Sequence, residues 1–262
     1  MKRPARAAFV AFALISAFGV TGVASASERD GFVYVGAVYD DRYADSIFVM
    51  DALKPFGSPT AHVRPYADVQ TNIDSQTLSV EIPNTLTDNY ILGALGLQYL
   101  NGKGLRAYVQ VGLTARVGAL AAREPTGDVR SGLQFFKNWG GLSVGSPSRA
   151  GYATFFGQAI YGNRDRDAVL FDQIELGRAL AETRNAVDLY VRGALSLDSH
   201  GFYYANDIEG IVGFRLRPHF GSGLSFTAEK VFGTYVRSIA RPTGVGSTYR
   251  NFRLNAGYGF AF

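Results

Sequence analysis

The stretch LRAYVQVGLTARV, residues 105–117, alternates between apolar and polar side chains from end to end. Its odd-numbered positions hold only leucine, alanine and valine, whereas its even-numbered positions include Arg106, Tyr108 and Arg116. Successive side chains of a β-strand point to opposite faces, so the pattern predicts a strand with one apolar and one polar face. A tilted strand that crosses a bilayer needs about 9–11 residues, while strands of soluble sheets usually have about 5–6. The length of the segment therefore favours a membrane-spanning strand.

The same alternation recurs along most of the chain, although Lys230 interrupts one apolar row. It is clear in the first four of the following segments and less regular in the others: 61–70, 187–197, 224–232, 252–262, 90–100, 130–139, 151–162, 168–180 and 207–217. Repeated alternating segments of about ten residues are typical of outer-membrane barrels. We therefore predict an all-β chain that forms a transmembrane antiparallel up-and-down β-barrel of about 12 strands, within a range of about 10–14.

A soluble β-sandwich is the alternative, because its strands also alternate between an inner and an outer face. The aromatic residues near the segment ends are Tyr99, Trp139, Tyr161 and Phe232. Aromatic residues at strand ends are typical of the interfacial girdles of a membrane barrel. Together with the strand lengths, they favour the barrel.

The connections between the alternating segments differ in length. The sequence NGKG at 101–104 predicts a tight hairpin turn, and residues 218–221 predict a second short turn. Longer irregular stretches cover 118–129, 140–150 and 234–247. Outer-membrane barrels usually have short turns at one rim and long loops at the other, and we expect the same arrangement in this chain.

Residues 1–26 have the pattern of a cleaved secretory signal peptide. Lys2, Arg3 and Arg6 precede an apolar run at 7–20, and small residues at 24–26 provide a cleavage site. The barrel domain is then expected to cover residues 27–262. We expect the chain to be exported to the outer membrane of a Gram-negative bacterium.

Composition excludes several classes of site. The formal net charge of +4 falls to +1 when the three cations of the signal peptide are removed, and no block of like charge follows. A nucleic-acid partner is therefore not expected. The absence of cysteine excludes disulfides and thiolate metal sites. No segment after residue 26 is apolar and long enough for a membrane-spanning helix, which leaves a closed barrel as the structure that satisfies the backbone in lipid.

The chain ends in an alternating strand that carries Tyr258, Phe260 and Phe262. This ending resembles the C-terminal recognition signal of outer-membrane proteins. The resemblance implies that the barrel-assembly machinery is a partner, and that outer-membrane lipid and lipopolysaccharide surround the folded barrel.

Four segments resemble the C-terminal barrel of the NfrA family of phage-adsorption and exopolysaccharide-export outer-membrane proteins. They are GLRAYVQVGLTAR at 104–116, SGLQFFKNWG at 131–140, GLSFTAEKVFG at 223–233 and YRNFRLNAGYGF at 249–260. In that family a periplasmic TPR region precedes a barrel that is thought to pass a polysaccharide. This sequence contains no TPR region, so the resemblance implies a polysaccharide partner and a separate periplasmic TPR protein.

The polar rows of the strands identify candidate residues for the lining of the lumen. These candidates are Arg64, Tyr66, Asp68, Arg106, Tyr108, Arg116, Asp188, Tyr190, Arg192, Glu229 and Arg253. Tyrosines beside charges suit a saccharide, because the ring stacks on the sugar while the charges bind its hydroxyls. The alternative is that the charges simply fill a small barrel with ion pairs. At about 12 strands, the interior is intermediate between a filled core and an open channel.

Two functions remain open at this stage. One is a porin-like or exopolysaccharide-export barrel, and the other is a structural or surface-receptor barrel (an adhesin or phage receptor) with a plugged lumen. The only histidines are His62, His200 and His219. His200 beside Ser196 and Asp198 has no spacing diagnostic of catalysis, so we predict that the chain is not an enzyme. We also predict no metal site and no cofactor.

Overall fold

The computed structural model describes most of the chain after residue 30. The described residues are 31–42, 45–75, 89–117, 124–140, 142–143, 146–147, 151–164, 166–182, 185–201, 205–218, 223–237, 239 and 246–261. The predicted signal peptide, His219 and Phe262 lie outside them.

Within the described residues, twelve strands close into one antiparallel barrel and two short strands form a separate two-stranded sheet. In chain order the strands are β1 (Phe32–Asp40), β2 (Asp45–Pro55), β3 (Val63–Asp74), β4 (Tyr90–Leu100), β5 (Leu105–Arg116), β6 (Thr126–Trp139), β7 (Leu142–Ser143), β8 (Ser146–Pro147), β9 (Tyr152–Gly162), β10 (Asp167–Glu182), β11 (Ala186–Asp198), β12 (Asp207–Arg217), β13 (Leu224–Tyr235) and β14 (Thr248–Ala261). The first and last strands pair with each other from Phe32 opposite Ala261 to Asp40 opposite Arg253. The predicted fold class is confirmed.

Alternation decides which side chains face outward. On β5, Val111 and Leu113 are each 61% exposed on the outer surface, whereas Gln110 and Thr114, which flank them in the sequence, are buried inside. A closed sheet has only an inner and an outer face, so one shift in register would exchange the two sets. The apolar rows predicted from the sequence form the outer face.

The outer surface is a belt of exposed leucine, valine, isoleucine and phenylalanine side chains. Tyr99, Trp139, Tyr161 and Phe232 are also exposed, and each lies within a few residues of a strand end. A soluble protein rarely exposes so large a continuous apolar surface, whereas a bilayer requires it. Among the described residues, no helix is long and apolar enough to cross a membrane.

The strands define two rims. The turn rim contains the start of β1, the end of β14 and the hairpin at 101–104; the loop rim contains the end of β1 and the connections that follow β3, β5, β9, β11 and β13. The predicted hairpin is present: Gly102 and Gly104 have positive φ angles, and Asn101 Oδ1 accepts the backbone N–H of Lys103 (2.7 Å). The prediction of long loops at one rim only is wrong, because the stretch at 140–150 connects β6 to β9 at the turn rim.

Candidate functional site in the barrel interior

The structure places the eleven lumen candidates on the inner face. Nine of them are buried, namely Arg64, Tyr66, Asp68, Arg106, Asp188, Tyr190, Arg192, Glu229 and Arg253. Tyr108 and Arg116 are partly buried. Four of the eleven, Arg106, Arg192, Glu229 and Arg253, belong to two polar clusters that lie on opposite sides of the interior.

The first cluster is a chain of ion pairs that crosses the inner faces of β10–β14. Glu175 Oε2 lies 2.9 Å from Arg215 Nη2 and 3.7 Å from Arg192 Nη1. Arg192 also pairs with Glu229 Oε1, and the second oxygen of Glu229 lies 3.7 Å from Arg253 Nη1. Each carboxylate is therefore shared between two arginines.

The chain of ion pairs continues across the seam of the barrel. Arg253 Nη2 lies 3.0 Å from Glu209 Oε1 and 3.3 Å from Asp40 Oδ2. Arg42 then reaches Asp207 at 3.5 Å. Because Asp40 is on β1 and Arg253 is on β14, the network reinforces the strand pair that closes the sheet. We refer to all these residues together as the ion-pair chain.

The second cluster covers β3–β6 and contains more glutamine. Arg106 donates from Nε to Gln98 Oε1 (2.8 Å) and from Nη1 to Gln134 Oε1 (2.9 Å). Arg130 pairs with Asp128 at 2.9 Å and donates to Gln70 Oε1 at 2.9 Å. We refer to this group as the amide-rich cluster.

Three of the candidates and their partners occupy the inner face near the rims. Asp188 pairs with Arg217 at 2.7 Å. Arg64 Nε donates to the carbonyl of Phe56 at 3.3 Å near the turn rim, while Arg116 ends β5 at the loop rim. The structure therefore does not place these three in either named cluster.

Inward tyrosines lie flat against glycines of the neighbouring strand. Tyr66 is paired with Gly96 and Tyr190 with Gly213, and a Cβ atom added to either glycine would lie within 2.6 Å of the ring Cζ atom. The opposite ring faces meet arginines: the Arg106 guanidinium lies 5.2 Å from the Tyr66 centroid. These contacts explain why glycine stands opposite these two tyrosines.

The hydroxyl groups of these tyrosines are also engaged. Tyr66 donates to Gln110 Oε1 at 2.7 Å, and Tyr190 donates to Glu229 Oε1 at 2.6 Å. A tyrosine that stacks on glycine, meets an arginine and donates to an acceptor has no ring face left for a sugar. Protein groups therefore occupy the surroundings of these two rings, and saccharide stacking at the lumen candidates stays a prediction.

Several residues of the two clusters were missed by the sequence reading. They are Asp40, Arg42, Asp128, Arg130, Glu175, Asp207, Glu209, Arg215 and Tyr249. Strand alternation could have identified most of them. Glu175, for example, occupies an inward position of β10 opposite Arg192. Because these segments alternate less regularly, the sequence did not show whether their odd-numbered or even-numbered side chains face inward. No sequence pattern pairs Asp40 with a residue at the other end of the chain.

The charged side chains at the centre of the ion-pair chain are almost completely buried. Glu175 and Glu229 are each 1% exposed, Arg253 is 3% exposed and Arg192 is 4% exposed. Charges that line an open channel contact the water inside it, whereas these four side chains contact protein. At this level the charged side chains are therefore packed against protein.

These observations define the class: the chain is a transmembrane β-barrel of the outer-membrane type, with an internal network of buried charges. No family model and no curated protein sequence matches the chain. Similar solved structures include a bacterial polysaccharide outer membrane secretin, at 8% identity and a TM-score of 0.46, with 90% of this chain and 99% of that chain covered. The KdgM porin in complex with disordered oligogalacturonate has 8% identity, a TM-score of 0.41 and coverages of 88% and 99%. LpxR from Salmonella typhimurium has 8% identity, a TM-score of 0.40 and coverages of 87% and 99%.

The prediction that the chain is not an enzyme is wrong as an exclusion. One fold can host many functions, and outer-membrane barrels include enzymes, so the fold does not exclude catalysis. The prediction also rested on the spacing of His200, Ser196 and Asp198, which is not diagnostic of catalysis. In the structure, His200 Nδ1 lies 3.6 Å from Asp167 Oδ1, a residue that the sequence reading had not considered.

Proposed function

We propose that this chain is an outer-membrane barrel of a Gram-negative bacterium whose lumen is plugged by its own side chains and whose role lies at the cell surface. Residues 1–26 are the export signal in this proposal. The structural or surface-receptor function is thereby favoured over the porin-like one. The observation that carries the proposal is the burial of the shared carboxylates of the ion-pair chain, Glu175 and Glu229.

Energetics support a plug that stays in place. Removing one partner of a buried ion pair typically costs about 3–5 kcal/mol, because the remaining charge is left uncompensated. A solute that passed between Glu229 and its partners Arg192 and Arg253 would have to separate two such pairs. The interior therefore favours a static role over repeated opening.

The outer surface supports the proposed partners. Tyr258 and Phe260 are exposed on the outer face of β14, with ring centroids 5.7 Å apart. An aromatic pair at the end of the last strand is accessible to the barrel-assembly machinery during insertion. In the mature membrane the same pair would contact lipid and lipopolysaccharide.

Conductance of the purified, folded protein in planar bilayers tests the plug. We expect the wild-type chain to show no steady single-channel current. A double variant, Glu175→Ala with Glu229→Ala, removes two adjoining shared carboxylates, and we expect it to open measurable current. A conducting wild type would overturn the proposal. Gln134→Ala in the amide-rich cluster is the matched control, and heat-modifiable migration on gels verifies that each variant is folded.

A second candidate is an exopolysaccharide-export barrel of the NfrA type, assisted by a separate periplasmic TPR protein. The supporting observation is that three of the four resembling segments supply interior charges: Arg106 from 104–116, Glu229 from 223–233 and Arg253 from 249–260. Export would require the partner to rearrange the ion-pair chain. Deletion of the gene should then abolish polysaccharide secretion; normal secretion in the deletion strain would exclude this candidate.

A further inference from the structure

The loop rim carries a compact group of three potential metal ligands. Asp167 is the first residue of β10 and Asp198 is the last residue of β11, the strand paired with β10. His200 follows two residues later, in the turn. One ligand atom from each of the three side chains lies within 4.8 Å of the other two. Both aspartates are buried, at 1% and 8% exposure.

One oxygen of each aspartate is fixed by the surrounding protein. Asp167 Oδ1 accepts the Ser199 hydroxyl at 2.7 Å. Asp198 Oδ1 accepts the backbone N–H of Gly201 at 2.5 Å and the side-chain amide of Asn206 at 2.8 Å. These contacts orient both carboxylates, as outer contacts do for the ligands of metal sites.

The second oxygen of each aspartate is buried without a hydrogen-bond partner. Both Asp167 Oδ2 and Asp198 Oδ2 are in this state. Leaving a buried acceptor unsatisfied costs about 1–3 kcal/mol, and more when the group is charged. Two such oxygens in neighbouring carboxylates also repel each other. A cation between them would satisfy both oxygens and remove the repulsion.

The geometry does not fit a serine nucleophile. In a catalytic triad the histidine lies between the serine and the acid. Here Ser199 donates directly to Asp167 Oδ1, and His200 approaches that same oxygen. Both groups therefore interact with the same carboxylate. The Ser199 hydroxyl does not donate to the His200 imidazole, which would have to accept its proton in a triad.

We propose that Asp167, Asp198 and His200 form a binding site for a divalent cation of the zinc type. An imidazole with two carboxylates suits Zn²⁺ better than Ca²⁺ or Mg²⁺, which prefer sites made only of oxygen ligands. Three protein ligands leave a fourth position open on a tetrahedral ion. The ion would tie β10 to the connection after β11, and its open position would present a Lewis-acidic centre at the loop rim.

The test is isothermal titration calorimetry on the untagged, chelator-treated protein, refolded in detergent without lipopolysaccharide, since lipopolysaccharide itself binds divalent cations. ZnCl₂ is the probe, and CaCl₂ is titrated separately. We expect one Zn²⁺ per chain and weaker binding of Ca²⁺. Asp198→Asn and His200→Ala should each weaken zinc binding at least about tenfold.

The control is His62→Ala. His62 Nδ1 donates a hydrogen bond to the Leu100 carbonyl at 2.7 Å near the turn rim, far from the proposed site at the loop rim, so its removal should leave zinc binding unchanged. Absence of zinc binding by the wild type would overturn the proposal, as would equal binding by the His200→Ala variant. Tighter binding of calcium than of zinc would overturn the imidazole assignment. None of these outcomes depends on whether the lumen conducts.

Discussion

On the β10–β14 side of the interior, carboxylates are matched by arginines, whereas on the β3–β6 side the arginines are met largely by glutamine amides. Glu229 receives Arg192 and Arg253, while Arg106 donates to Gln98 and Gln134. Loss of a neutral amide changes no charge, whereas loss of a shared carboxylate takes one ion-pair partner from two arginines at once. We therefore expect the ion-pair chain to be the part of the interior that is least tolerant of change.

Removal of one carboxylate should show the difference most strongly. Glu229→Ala leaves Arg192 and Arg253 short of a partner, and we expect a loss of about 3–5 kcal/mol in the free energy of unfolding. Gln134→Ala removes one neutral acceptor while Gln98 still holds Arg106, so we expect a loss of about 1–1.5 kcal/mol. Reversible urea unfolding in lipid vesicles, followed by tryptophan fluorescence of Trp139, measures both. Equal losses would contradict the distinction between the two clusters.

The tyrosine–glycine contacts occur in both halves and refine the comparison. A Cβ atom at Gly213 would lie 2.3 Å from Tyr190 Cζ, and one at Gly132 would lie 2.7 Å from Tyr108 Cζ. Each ring has an arginine 4.6 Å from its centroid, Arg215 at Tyr190 and Arg106 at Tyr108, but Tyr190 is buried whereas Tyr108 is only partly buried. We expect Gly213→Ala to cost about 1–3 kcal/mol.

Gly132→Ala should cost less than Gly213→Ala in the same unfolding assay. As a control, Gly193→Ala places its Cβ 3.7 Å from the nearest atom, a side-chain carbon of Ile174, and it should be close to neutral. If Gly132→Ala were the more damaging of the two, the amide-rich half would be the more tightly packed one, and the comparison would be reversed.

The sequence was sufficient for the barrel because alternation acts locally. In β5 the polarity of a side chain indicates whether it faces inward or outward. Arg106 could be assigned to the inner face and Val111 to the outer face without knowing which strands are adjacent. The partners could not be assigned in this way. Asp40 and Arg253 meet because the first and last strands pair, and Asp167 meets His200 because a strand start and a turn lie at one rim. Such contacts depend on closure and register, which no local pattern contains.

A change in salt concentration should have the smallest effect on the free energy of unfolding. It tests whether water and ions reach the ion-pair chain. Raising the ionic strength from 0.1 M to 1 M shortens the Debye length from about 10 Å to about 3 Å, which weakens exposed ion pairs far more than buried ones. General effects of salt on the apolar surface cancel when the wild type is compared with Glu229→Ala. We therefore expect the difference between their free energies of unfolding to change by less than about 0.5 kcal/mol. A difference that narrows steeply at 1 M would mean that electrolyte reaches Glu229 and Arg253, and it would contradict the proposal that side chains plug the lumen.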